Sequence, residues 1–167
     1  PGGSAGARVA AVAQLSLTAT RETIRAGDTV EVIVVLDSAL PDLRGYQLHA
    51  GITGGDAGGL DVVDMSIEQR KDHVFAGLAD WRAFNVHTQQ MLAGMDAAGI
   101  KTRPGAYLAT LTLRASKDAA GTFAIDLLHD NTDPAQRTFL FATPAEGRIE
   151  VTSVTPAVVT VESGRAR

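Results

Sequence analysis

The residue types that most often do chemistry in enzymes are sparse and widely separated in this chain. Its 167 residues include no cysteine, so it can form neither a disulfide framework nor a thiolate metal site. The four histidines, His49, His73, His87 and His129, stand alone, and no His-Glu-x-x-His, Gly-x-Ser-x-Gly or phosphate-binding loop motif is present. Catalysis would need a pocket in which a histidine meets carboxylates, and nothing in the sequence shows such a meeting. We therefore predict that the protein is not an enzyme.

One acidic segment could hold a metal ion. Asp126, Asp130, Asn131 and Asp133 offer carboxylate and amide oxygens, which are the ligands that calcium prefers. The same residue types are also typical of a solvated turn, in which Asp and Asn side chains bond to their own backbone. Their spacing matches no EF-hand. The expectation is that no cofactor is bound, with a structural calcium ion at these four residues as the alternative.

Aromatic residues give a limited signal for ligand binding. Trp81 is the only tryptophan, and it could anchor a partner or stack on a sugar ring. It could equally fill one end of a hydrophobic core. Tyr46 and Tyr107 alternate with polar residues in a way that predicts inward-facing side chains. A flat polysaccharide-binding surface usually presents several coplanar aromatic rings, and this chain offers too few.

Charge and hydropathy exclude two classes of partner. The formal net charge is −4, and the 15 basic residues are scattered rather than grouped in a stripe, which argues against binding to a phosphate backbone. No apolar run approaches the roughly 20 residues of a membrane-spanning helix. The chain does not begin with Met, and we interpret it as a mature or excised fragment whose targeting signal has been removed.

The elements that must position these residues are extended strands. Apolar side chains alternate with polar ones along many short segments, most clearly at 29–37, 44–52 and 107–115, and turn-forming Gly, Pro and Asp residues separate the segments. Only residues 66–82 break this pattern, and a capping-box spacing there allows one short helix. Helices between the strands, which a βαβ fold needs, are missing.

The pattern predicts an all-β fold, a two-sheet β-sandwich of the jelly-roll type with about nine to eleven strands and at most one short helix. We place the sandwich at residues 15–162. Residues 1–14 are rich in Gly and Ala and are interpreted as a tail or as a strand donated to another molecule, and residues 163–167 as a C-terminal tail.

One strand carries apolar residues on both sides. Val30, Val32 and Val34 share one side of the segment 29–37, whereas Ile33 and Val35 lie on the other. If no other part of the chain covers that second side, it is an apolar patch suited to a partner. Coverage by residues 66–82 or by a terminal strand is the alternative. Together with Trp81, Ile33 and Val35 are the predicted partner-binding residues.

Two stretches carry a resemblance to a known family. The sequence AGDTVEVIVVL at 26–36 leads to LRGYQL at 43–48, and GAYLATLTLR at 105–114 leads to GTFAI at 121–125. They resemble cohesin domains and the related carbohydrate-binding modules, over about residues 15–161. The resemblance implies a nine-stranded jelly roll and an exported protein, extracellular or on the cell surface, which binds dockerin modules or polysaccharide. One departure is Gly51-Ile52-Thr53-Gly54, where cohesins usually have an aromatic-Asp pair.

The leading functional hypothesis is therefore a non-catalytic extracellular module for binding or assembly. It would recognise a protein partner through a sheet face or edge. The first alternative is a self-assembling subunit of a filament or surface layer, built by donation of residues 7–13. A carbohydrate-binding module that uses Trp81 is the second alternative.

Overall fold

The computed structural model describes residues 12–68, 72–75, 81–85, 87–94, 99–133, 136–142 and 147–164. Within these ranges the chain forms twelve β-strands and no α-helix. The strands are β1 (Val12–Ala19), β2 (Thr23–Arg25), β3 (Thr29–Leu36), β4 (Leu43–Gly54), β5 (Leu60–Ser66), β6 (Trp81–Asn85), β7 (Gln90–Gly94), β8 (Ala106–Ala115), β9 (Gly121–Leu127), β10 (Phe139–Ala142), β11 (Arg148–Thr155) and β12 (Ala157–Glu162).

The strands form the predicted two-layer sandwich. The first layer has the order β1-β3-β8-β5, and the second layer has the order β9-β4-β7-β6. The long strand β4 pairs with β10 along its first half and with β9 along its second half. From there β10 and β11 lead to β1, and β9 leads through β12 to β2. The two layers are therefore joined along their sides.

Alternation of side chains explains how the layers close on one core. In β3 the inward residues Val30, Val32, Val34 and Leu36 are buried, and in β4 Tyr46 and Leu48 are fully buried. Residues from both layers belong to a single hydrophobic cluster, which is expected when two half-apolar sheets cover each other. The inward positions predicted on these two strands are confirmed.

A bulge corrects one predicted orientation. Tyr107 was expected to point inward with Ala109, but the β3–β8 register shifts between Val34 and Val35. Leu108 takes the core position instead, and the Tyr107 hydroxyl lies 2.6 Å from Thr110 Oγ1. Tyr107 is buried even so, because residues 66–68 and 72–75 cover it. Its hydroxyl accepts a hydrogen bond from the Glu68 amide, and its carbonyl accepts one from the Val74 amide.

The observed elements differ from the predicted ones at three places. Strand β1 begins at Val12, three residues before the predicted start of the sandwich, because Ala13 is buried between exposed neighbours. The three-residue strand β2 was not predicted, which makes twelve strands rather than eleven. Of the possible helix at 66–82, Ser66 belongs to β5 and residues 72–75 form a bridge and a turn, whereas 69–71 and 76–80 lie outside the described residues.

The first and last parts of the chain close the sandwich together. Strand β1 pairs in parallel with β11, and β2 pairs in parallel with β12. Only Pro156 separates β11 from β12. Since proline has no amide hydrogen, it cannot continue a ladder of hydrogen bonds, and the chain passes there from one side of the molecule to the other.

Candidate binding surfaces

The structure does not bring the four histidines together. His73 is buried and its Nδ1 accepts a hydrogen bond from the Phe75 amide at 3.2 Å, so Nε2 carries the hydrogen and donates to the Tyr46 hydroxyl at 2.9 Å. His87 is exposed, and His129 contacts the Leu127 carbonyl. His49 is bonded to the Gln136 carbonyl. Over the described part of the chain, no three histidine or acidic residues form a group that could hold a metal ion.

Two shallow grooves lie on the described surface of the protein. One, of about 450 Å³, lies where β1 and β12 separate and is lined by residues such as Leu17, Glu22 and Val158. The other, of about 340 Å³, lies near Asp61 and Gln89. Neither groove has a histidine in its lining, so neither joins an imidazole to a carboxylate.

The acidic loop between β9 and β10 uses its polar atoms locally. The Asp126 Oδ1 atom accepts a hydrogen bond from the Leu127 amide at 2.8 Å. The Asn131 Nδ2 atom donates to the Gln136 carbonyl at 3.0 Å and closes the loop. Asp130 and Asp133 are exposed. Calcium binding by Asp126, Asp130, Asn131 and Asp133 stays a prediction.

We expect the melting temperature to be the same in excess calcium and in EDTA, because the Asn131 amide closes the loop without a metal ion. Calorimetry in the two buffers checks this expectation. A calcium-dependent rise in melting temperature would contradict it, and loss of that rise in Asp130→Asn would assign the ion to this loop.

The predicted partner-binding residues lie in different layers. Ile33 and Val35 are half-buried on the outer side of β3 in the first layer, and they do not belong to the core cluster. Trp81 is the first residue of β6 in the second layer, where its backbone pairs with Gly94. The Trp81 side chain lies outside what the structure describes. A partner seated on one face would therefore meet either the β3 residues or β6, and not both.

The outer side of the first layer is partly covered by the chain itself. Ile33 pairs with Thr18 on one side and with Thr110 on the other. Thr110 is only 1% exposed, and it bonds to Tyr107, which residues 66–68 and 72–75 cover. The surface that β3 offers to a partner is consequently narrow.

The outer side of the second layer offers another surface at β6 and β7. We call it the β6–β7 surface, and it consists of Ala83, Asn85, Gln90 and Leu92. Ala83 and Asn85 are exposed, and Gln90 and Leu92 are half-buried. Ala83 pairs with Leu92 and Asn85 with Gln90, so the four side chains form a compact uncharged patch.

The β9–β10 loop is fastened beside this surface. Two outward side chains of β4 hold consecutive carbonyls of the loop: Gln47 Nε2 donates to Arg137 at 2.7 Å, and His49 Nδ1 donates to Gln136 at 2.6 Å. The His49 amide donates to Thr138 Oγ1 at 2.9 Å. Because Gln47 pairs with Leu92 across β4 and β7, this loop borders the β6–β7 surface.

Arg137 lies in this loop and is not among the residues predicted from the sequence. Its Nε atom is buried and has no hydrogen-bond partner. A single arginine in a polar loop carries no sequence signal, since its environment depends on β4.

The structure bears on the two alternative hypotheses, self-assembly by strand donation and carbohydrate binding. Of the proposed donor segment 7–13, residues 7–11 lie outside the described residues, and Val12 and Ala13 already pair with Glu150 and Val151 in β11. Tyr46 and Tyr107 are both buried, so neither can stack on a sugar ring.

The described part of the chain has no helix long and apolar enough to span a membrane.

Comparison with known proteins identifies the fold. No protein-family model matches the sequence, and no curated protein matches it. Among solved structures, the third ScaB cohesin of Ruminococcus flavefaciens, in complex with a group 1 dockerin, aligns with a TM-score of 0.62 at 13% identity, over 90% of this chain and 96% of that one.

Two further solved cohesin structures align with most of this chain. A Clostridium thermocellum complex of the OlpC cohesin with a dockerin gives a TM-score of 0.60 at 14% identity, over 92% of this chain and 95% of that one. A non-cellulosomal cohesin of the archaeon Archaeoglobus fulgidus gives 0.56 at 13% identity, over 90% and 92%. The resemblance inferred from the sequence is confirmed at the level of structure: this chain has the cohesin fold.

Proposed function

We propose that the protein is a non-catalytic binding module that recognises a dockerin-like protein partner, outside the cytoplasm. The observation that carries this proposal is the likeness to cohesins solved in complex with dockerins, which extends over about nine-tenths of this chain. Fold alone does not determine function. The described residues add support, because they present sheet surfaces suited to recognition and no grouping of catalytic side chains.

The β6–β7 surface is the proposed site of contact. Its four side chains are uncharged and small to medium in size, and the bordering β9–β10 loop is held rigidly by Gln47 and His49. An uncharged centre with a polar rim is typical of specific protein interfaces. Trp81, which belongs to β6, is a proposed contact residue at the edge of this surface.

The Ile33 and Val35 patch is the competing site. It fits a partner less well, because Thr110 and residues 66–68 and 72–75 limit its width. A charge introduced at the centre of each surface in turn tests which of the two surfaces contacts the partner.

Leu92→Glu is expected to weaken dockerin binding by about tenfold or more, because it places a charge at the centre of an uncharged contact. Ile33→Glu is the matched control, since it introduces the same charge at a half-buried sheet position in the other layer, and it should change the affinity by less than about threefold. Calorimetric titration against the dockerins of the two complexes above measures both, after thermal melting has shown that both variants fold.

If Ile33→Glu weakens binding and Leu92→Glu does not, the contact site lies on β3, with Ile33 and Val35 as the contact residues. Absence of binding to every dockerin would argue against a dockerin-like partner. Concentration-dependent polymers in that case would favour the self-assembling subunit.

A further inference from the structure

The groove of about 450 Å³ at the point where β1 and β12 separate is bordered by two strand edges, and we call it the β1–β12 groove. Strand β1 pairs with β11 as far as Thr155, and Pro156 then leads into β12, which pairs with β9 in the other layer. From Leu17 to Ala19, β1 pairs with β3 alone among the described strands. One edge of β1 and one edge of β12 therefore face the groove.

The edge of β1 presents backbone groups to this groove. The Gln14 carbonyl accepts a hydrogen bond from the Asp37 amide. The Thr20 amide donates to the Glu31 carbonyl, so even-numbered residues bond toward β3. In an antiparallel pair, alternate residues direct their N–H and C=O groups to opposite sides. The backbone groups of Ala19 consequently point away from β3, toward the groove that Ala19 lines.

The edge of β12 has the same property. The Thr160 amide donates to the Glu22 carbonyl at 2.8 Å, so Val158, two residues earlier, directs its N–H and C=O groups to the same side. Strand β2 pairs with β12 only from Thr160 to Glu162. Among the described strands, none pairs with Val158 on this side. Exposed strand edges of this kind pair readily with an extended segment of another molecule.

The apolar side chains with the greatest exposure lie at the groove and beside one segment of this chain. Val158 is 52% exposed and lines the groove, and Val12, at 47%, is the next most exposed large hydrophobic residue of the described part. Val12 directly follows residues 7–11, which have the sequence ARVAA. Apart from its arginine, this segment consists of small apolar residues that suit an apolar groove.

The charges of the groove and of this segment are complementary. Glu22 is the one charged residue among the described residues that line the groove, and it is exposed. Arg8 is the one charged residue in the segment 7–11. A segment placed in the groove would therefore bring one positive charge to one negative charge.

The segment of the same chain is too far away to fill the groove. Arg8 precedes Val12 by four residues, and a fully extended chain spans at most about 3.6 Å per residue, so residues 8–11 stay within about 14 Å of Val12. Ala19 lies seven residues from Val12 in the opposite direction, about 23 Å along β1. An occupant with this sequence must come from a second copy.

We propose that residues 7–11 of a second copy of this chain lie in the β1–β12 groove as an added strand, so that copies join head to tail. The donated segment precedes β1 and the groove lies at the other end of β1, so each copy can give a segment to one neighbour and accept one from another. Such a heterologous contact builds open chains unless its rotation closes a ring. The inference goes beyond the proposed function, because the groove shares no residue with the β6–β7 surface.

Sedimentation velocity of the full chain tests self-association. Dimers and longer species should appear, and their share should grow, as the protein concentration rises from about 10 μM to about 1 mM. A monomer throughout this range would overturn the proposal.

Two variants test the contact itself. Val158→Asp in the groove and Val9→Asp in the segment should each weaken self-association by about tenfold or more, because each places a carboxylate in an apolar contact. Val63→Asp is the matched control, since Val63 is an exposed valine of β5 outside the groove lining, and it should associate as the wild-type chain does. Undiminished association in the two test variants, or an equal loss in the control, would overturn the proposal.

An equal mixture of Val158→Asp and Val9→Asp distinguishes donor from acceptor. The first variant keeps its segment and the second keeps its groove, so the mixture should form a dimer with one copy of each and nothing longer. A mixture that stays monomeric would contradict the head-to-tail contact and overturn the proposal.

An exchange of charge keeps the proposal testable if thermal melting shows that Val158→Asp does not fold. Glu22→Arg and Arg8→Glu should each weaken self-association by about three- to tenfold through repulsion of like charges, and the chain that carries both changes should recover it. Failure of the double variant to recover would overturn the placement of Arg8 beside Glu22, and with it the proposal.

Titration with a dockerin separates this inference from the proposed function. Val158→Asp should keep the dockerin affinity within about threefold, whereas Leu92→Glu loses it. A loss of dockerin binding in Val158→Asp would assign the groove to that partner and overturn the inference. Self-association through the groove without binding to any dockerin would retain the inference and reject the proposed partner.

Discussion

A Gly121→Ala variant should lose about 3–5 kcal/mol of unfolding free energy. Gly121 opens β9 with a φ of 102°, and a Cβ atom added there would lie 2.5 Å from the backbone nitrogen of Asp56. That nitrogen cannot move away easily, because it donates a 2.7 Å hydrogen bond to the Ala120 carbonyl. The methyl group would therefore force apart the 54–59 loop and the first residues of β9.

Gly27→Ala is the matched control for this prediction. Gly27 has a similar φ of 86°, but an added Cβ would meet no atom within 4 Å. This variant should lose only the cost of the left-handed backbone, about 1–2 kcal/mol. Urea denaturation of both variants measures the difference, and equal losses would mean that the contact with Asp56 relaxes without cost.

Tyr46→Phe is the second variant with a large expected effect, a loss of about 2–4 kcal/mol of unfolding free energy. The Tyr46 hydroxyl lies in the interior, where it donates to the Leu108 carbonyl of the opposite layer and accepts from His73 Nε2. Its removal leaves a buried donor and a buried acceptor without this partner, while the ring keeps its stacking on Phe75 at 5.9 Å. The melting temperature should fall by about 4–15 °C.

Tyr107→Phe removes a hydroxyl of the same kind nearer the surface. Its partners are Thr110 and the half-buried Glu68 amide, and water can replace it at the amide. A loss of about 1 kcal/mol is expected. If Tyr46→Phe and Tyr107→Phe have the same melting temperature, the hydrogen bonds between the layers contribute no more to stability than those to the covering segment.

The sequence predicted the sandwich because its signal is local. In β3, each second residue from Val30 to Leu36 is buried, and such alternation can be read without knowledge of the rest of the chain. Strand β2 could not be predicted in this way, since it has one buried residue, Ile24, and exists through its pairing with β12. The orientation of Tyr107 was wrong because a bulge depends on how two strands align.

The candidate site was less accessible to prediction. Ile33 and Val35 were correctly placed on the outer side of β3, but which strands share a layer is a long-range property, and so their separation from Trp81 was not visible. Leu92 looked like any residue of a short strand. Arg137 becomes notable only when Gln47, far away in the sequence, holds its carbonyl.

The parallel pairing of β1 with β11 and of β2 with β12 has a consequence for biosynthesis. Val12 must wait for Glu150, and Thr23 must wait for Thr160, so β1 and β2 find their parallel neighbours only after the last two strands of the sandwich have been synthesised. Until then Leu15 and Leu17 have β3 on one side and water on the other. Folds that depend on such distant pairings acquire their structure slowly, and in the cell the nascent chain will need protection of these strands until β11 and β12 have left the ribosome.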